Sequence, residues 1–180
     1  MKKILALYVT IAMLLCSASA LADTTKVVIH YDDGMDITQV LPEGYTADYD
    51  VTEEGILWMR LIKDNDSLGI AMTIAADADH DDKIRLNDLT AEEKEAFAQA
   101  LFEDMDKEEW SIMVTGQGTE AIVVKTTEDA YSSALISTLY YGYGVVLYIG
   151  YTDGHELSDA DIETAMQVLT DLTFEAKSTD

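Results

Sequence analysis

The stretch from Asp77 to Leu89 reads DADHDDKIRLNDL. Calcium takes roughly six to eight oxygen ligands, and a short loop supplies them by placing carboxylates at alternate positions. Asp77, Asp79 and Asp81 stand at positions 1, 3 and 5 of such a loop. Lys83 offers a backbone carbonyl at position 7, Ile84 is the aliphatic residue at position 8, and Asp88 falls at position 12. Read as a calcium loop, this spacing gives Asp77, Asp79, Asp81 and Asp88 as the ligands; the favoured expectation is a solvated loop and no cofactor, with calcium as the alternative. Position 6, normally a glycine at a sharp turn, is Asp82. Aspartate enters the left-handed region more readily than most residues, so the substitution strains the loop without forbidding it.

The string resembles the calcium loops of dockerins and, less closely, of EF-hands. A helix start competes with it. Thr90 and Glu93 form a T-x-x-E capping box, which predicts a helix from Thr90. A calcium loop would begin its exit helix nearer Leu86. The competing reading is a solvated acidic loop ahead of a capped helix, since D-x-D-x-D also arises by composition in so acidic a chain.

Other chemistry finds less to work with. The histidines are His30, His80 and His155, without the H-x-x-x-H spacing of a zinc site, and Cys16 is the only cysteine. There is no G-x-S-x-G elbow and no phosphate-binding glycine loop. With 35 Asp+Glu, no carboxylate pair is singled out for glycoside hydrolysis. His155, in TDGHELS, reads either as a catalytic residue or as a surface-turn histidine. The expectation is a non-enzyme, with a carboxylate-dependent hydrolase as the weaker alternative.

Tyr140 to Gly150 reads YYGYGVVLYIG. Leu147 stands where a dinucleotide loop needs its third glycine. Alternation explains the run better. Val145, Leu147, Ile149 and Tyr151 share one face, and Gly144, Val146, Tyr148 and Gly150 the other. Both faces are apolar or small, which predicts a central strand. Gly142 is expected at positive φ in a hairpin turn, and the glycines are expected to admit a helix close to the sheet. The tyrosines could line a ligand cleft; cross-strand aromatic packing is the simpler expectation.

The elements that must hold these residues follow from period and punctuation. Strands are predicted at 26–31, 35–41, 45–51, 56–63, 68–76, 110–115, 119–125, 134–141 and 144–151, with a short final strand at 173–176. Asp33-Gly34 and the polar loop 64–67 mark hairpins. After Thr90, a helix carries Phe97, Ala98, Leu101, Phe102 and Met105 on one face. Ser158 and Asp161 cap a second helix, with Ile162, Ala165, Met166, Leu169 and Leu172 along its stripe. The predicted class is α+β: a single domain with a mainly antiparallel sheet covered by two principal helices.

The first residues, MKKILALYVTIAMLLCSASALA, join a positive start, a short apolar run and small residues. They predict a secretory signal peptide at 1–22 and a domain at 23–180. Leu15 before Cys16 disfavours lipidation, so release as a secreted or extracytoplasmic protein is expected, with no membrane insertion after cleavage. The whole chain has net charge −24, and losing two leader lysines takes it to −26. Such charge disfavours nucleic acid and anionic membrane as partners.

The order of elements, with LPEGY near the start and SDADIETAMQVLTDLTFE near the end, resembles the PsbP-like α/β/α sandwich. That resemblance covers most of the domain. It implies a non-catalytic accessory fold that binds a protein partner, and it carries over no functional residue. The partner and the oligomeric state stay open.

Overall fold

The computed structural model describes residues 26–31, 35–63, 67–76, 84–101, 110–128 and 131–176. The predicted leader, the 32–34 turn, Phe102 and Met105 lie outside them, as do Asp77, Asp79 and Asp81. Ten strands and two α-helices follow one another as β1 (Lys26–His30), β2 (Met35–Val40), β3 (Tyr45–Val51), β4 (Leu57–Lys63), β5 (Leu68–Ala76), α1 (Ala91–Leu101), β6 (Trp110–Val114), β7 (Glu120–Glu128), β8 (Tyr131–Tyr140), β9 (Tyr143–Tyr151), α2 (Asp159–Thr170) and β10 (Leu172–Ala176). The α+β class is present, and every pairing among these strands is antiparallel.

The strands form two sheets where one was expected. One has the order β1-β2-β10, and the other β3-β4-β5-β9-β8-β7-β6. Pro42 lacks an amide hydrogen and closes β2. Gly44, at φ 81°, then turns the chain, with Tyr45 N–H donating to the Pro42 carbonyl at 3.1 Å. β10 returns to β2 across most of the sequence, pairing Phe174 with Ile37. No local pattern announces such a pairing.

β9 lies at the centre of the larger sheet, between β5 and β8, as its doubly apolar faces predicted. One face buries Leu57, Met59, Ile70, Met72, Leu147 and Ile149. The smaller sheet adds Ile29 and Ile37 to this core, and α2 adds Ile162, Ala165, Met166, Val168 and Leu169. The buried Gln39 side chain donates to the Val168 carbonyl at 3.1 Å, and Val40 N–H donates to the Asp171 carbonyl at 3.2 Å. These bonds join the smaller sheet to the end of α2.

On the opposite face a second cluster gathers Ile122, Val124 and Leu139 with Leu86 and Ala98, and Phe97, Leu101 and Trp110 pack around it. α1 packs there, over the β7–β8 end. Of its predicted stripe only Ala98 is fully buried among the described residues. The β7–β8 hairpin outruns its apolar core and pairs as far as Glu128 with Tyr131. A 2.8 Å hydroxyl contact between Thr126 and Ser133 carries the ladder past the last valine. Gly150 does not admit a helix. A Cβ there would come within 2.9 Å of the Tyr148 hydroxyl, so the glycine makes room for a tyrosine ring on its own strand.

Candidate interaction site

The β8–β9 connection has two central residues, Tyr141 and Gly142, both at positive φ (54° and 79°). A two-residue hairpin turn matched to strand twist requires that sign at both positions, and Asn-Gly or Gly-Gly normally fills it. Gly142 meets the requirement freely. Tyr141 is the only described non-glycine residue with positive φ, and its backbone is held there against steric preference.

Around this turn the aromatic rings form a continuous series. Tyr140 and Tyr143 pair across the hairpin. The Tyr143 ring stacks on Phe174 at 5.2 Å, and Phe174 stacks on Tyr140 at 5.0 Å. Tyr31 meets Tyr143 edge-on at 5.6 Å, and Tyr141 meets Tyr140 edge-on at 4.7 Å. Arg85 sits 5.6 Å over the Tyr141 ring, within cation–π range. Tyr31 donates its hydroxyl to the Gly55 carbonyl. Burial, then the neighbouring Tyr141, pushes the Tyr140 hydroxyl pKa up, partly offset by Arg85. Tyr141 itself is 40% exposed.

Ala76 and Ile84, on either side of the acidic stretch, both bond to this hairpin. Ala76, the last residue of β5, pairs with Tyr143. The Ile84 carbonyl accepts from Gly142 N–H at 3.1 Å. Of the four predicted ligands, only Asp88 lies among the described residues. It ends a 3-10 turn, Leu86–Asp88, where its Oδ2 accepts from Arg85 N–H at 3.0 Å. The Thr90–Glu93 box forms as predicted: Thr90 N–H and Oγ1 each donate to Glu93 Oε2 at 2.7 Å, and α1 starts at Ala91. Where a calcium loop would place its exit helix there is a single 3-10 turn. Asn87 secures that turn, donating to the Gly118 carbonyl at 2.7 Å and accepting from Glu120 N–H at 2.9 Å. Among the described residues no group of three His, Cys, Asp or Glu could hold a metal ion.

His155 is exposed. Its Nδ1 lies 2.6 Å from Asp153 Oδ1, and its ring is 5.6 Å from Tyr151. Asp153 also accepts a hydrogen bond from the Ser67 side chain. The carboxylate therefore stands between serine and histidine. A nucleophilic triad needs the histidine in that middle position. His30 contacts Asp36 at 2.8 Å on the surface, and His80 lies outside the described residues.

Sequence reasoning weighed Tyr140, Tyr141, Tyr143, Tyr148 and Tyr151 as one cluster. The structure keeps the first three together and sends Tyr148 over Gly150 and Tyr151 towards Asp161, to which it donates at 3.2 Å. It adds Tyr31, Phe174 and Arg85, which no local signal linked to the hairpin. No family model matches the sequence, and no curated protein is detectably similar to it.

Proposed function

We propose that this chain is a secreted, non-catalytic accessory domain that binds a protein partner through the aromatic end around Tyr141. The observation that carries the proposal is a tyrosine held at positive φ and 40% exposed, in a turn position where asparagine or glycine would relieve the strain. Local strain kept at an exposed aromatic is an expected mark of a contact surface. The leader pattern at 1–22 supports export. The net charge supports a partner other than nucleic acid. Among the described residues no helix is long and apolar enough to cross a membrane. The element order and α2 packed on the sheet support a PsbP-like sandwich, to which the three-stranded sheet would be an addition.

The test is Tyr141→Asn. Asparagine tolerates positive φ, so the unfolding free energy should hold or rise, by about 1 kcal/mol of relieved strain at most. Capture of the partner from the exporting cell's envelope and medium should be lost. A variant that melts lower and still captures the same protein would make Tyr141 a packing residue and overturn the reading.

Calcium binding by the acidic loop is the second reading. Its supporting observation is that both loop ends, Ala76 and Ile84, are fixed to the β8–β9 hairpin. In this reading Asp88 contributes Oδ1, since Oδ2 caps the 3-10 turn.

A further inference from the structure

β6 is the last strand of the larger sheet, and among the described residues only β7 pairs with it. Its phase follows from the adjoining turn. Thr115 N–H donates to the Thr119 carbonyl at 2.8 Å, and hydrogen-bonded pairs alternate along an antiparallel ladder. Thr115, Met113 and Ser111 therefore direct their amides and carbonyls towards β7. Trp110, Ile112 and Val114 direct theirs outward.

Such an edge is a template for another strand unless it is blunted. β3 carries Asp48 and Asp50, β1 carries Lys26 and His30, and β10 carries Glu175. β6 reads WSIMV, with no charge and no proline, and its register with β7 runs without a bulge. Ile112 is 42% and Val114 61% exposed.

We infer that the β6 edge pairs with the β6 edge of a second copy of this chain. The sequence is self-complementary for an antiparallel two-fold centred on Ile112. Ile112 then faces the second copy's Ile112, Trp110 faces its Val114, and Ser111 faces its Met113. The three outward residues form hydrogen-bonded pairs, each exchanging two backbone bonds. Apolar side chains meet on one face and no charge meets a like charge. This symmetry argues for a second copy over an unrelated strand, which would need no such match. The two sheets would join into one continuous sheet across the axis.

Each copy carries a net charge of −24, so long-range repulsion opposes the contact and salt strengthens it. That dependence is opposite to that of a contact held by ion pairs. Sedimentation equilibrium of the purified protein, from about 1 to about 500 µM and at about 50 and about 500 mM salt, reads it directly. The expected result is a monomer–dimer equilibrium that is tighter at high salt. Ile112→Lys, at an exposed position, should leave the melting temperature unchanged and weaken association by at least about tenfold. In the parent, Ile112 and Val114 amides should exchange more slowly as concentration rises, while the Met113 amide, already bonded to β7, should not change. A monomer at every concentration, a dimer untouched by Ile112→Lys, or a dimer without concentration-dependent protection at Ile112 and Val114 would each overturn the inference.

Discussion

Asp153 accepts hydrogen bonds from Ser67 and His155, and together they lower its pKa from 3.8 to about 2. The same contact raises the His155 pKa above 6.5, because the carboxylate favours the charged imidazole. A depressed carboxylate stabilises the fold above its unfolded pKa of 3.8 and loses that contribution as pH falls through about 2. A raised histidine stabilises below 6.5 and loses that contribution as pH rises through its folded value. Both contributions are thus present together from about pH 4 to about pH 6.5. Both groups are exposed to solvent, so screening keeps the effect small. Asp153→Asn should return the His155 pKa towards 6.5, checked by an NMR titration of the ring protons. An unchanged titration would mean that the pair does not form in solution.

At the scale of elements, the two helices share a device and differ in what stands behind it. Ser158 Oγ accepts from Asp161 N–H at 3.3 Å, and Asp161 Oδ2 accepts from Ser158 N–H at 2.7 Å. Thr90 and Glu93 repeat the arrangement. α2 buries five side chains, whereas α1 fully buries Ala98 alone. A cap contributes about 1 kcal/mol, and the loss appears in global unfolding when the helix melts with the core. Ser158→Ala should therefore lower the melting temperature by about 2–4 °C. Thr90→Ala should lower it less and instead speed amide exchange within α1. Equal shifts from both variants would show that α1 unfolds with the core despite its shallow burial.

At the scale of the whole molecule, charge dominates. Any cation relieves repulsion among carboxylates, so sodium and magnesium should both raise the melting temperature modestly. A calcium site acts differently, through mass action. Calcium at 100 times its dissociation constant stabilises by about 2.7 kcal/mol, or roughly 5–10 °C for a domain of this size. The expected outcome of the calcium reading is a selective rise of that order, lost in the Asp79→Asn, Asp81→Asn double variant. Equal rises with calcium and magnesium at fixed ionic strength would make the loop a solvated turn.

Much of the fold is legible in the sequence because its signals are local. Alternation across KVVIHY and LGIAMTIAA marks strands, and T-x-x-E and S-x-x-D mark where α1 and α2 begin. The apolar run on both faces of Val145–Ile149 placed β9 in the sheet centre, since only a doubly covered strand is apolar on both sides. The ladder ends were less legible: β7 and β8 extend through Thr126 and Ser133, where hydroxyl bonding replaces hydrophobic pairing. The candidate ligands are fully spelled out in sequence, because D-x-D-x-D is a local pattern.

The sequence by itself determined the class, the antiparallel hairpins, the helix caps, the acidic charge and the candidate ligands, because each depends on residues within a few positions of one another. Only the tertiary structure decided that β10 pairs with β2 and splits the strands into two sheets. It alone brought Tyr31, Phe174 and Arg85 to the hairpin at Tyr141, and it alone left β6 as the uncharged edge. These contacts join residues far apart along the chain. What selects them is the joint burial of several apolar faces, which no single stretch of sequence encodes.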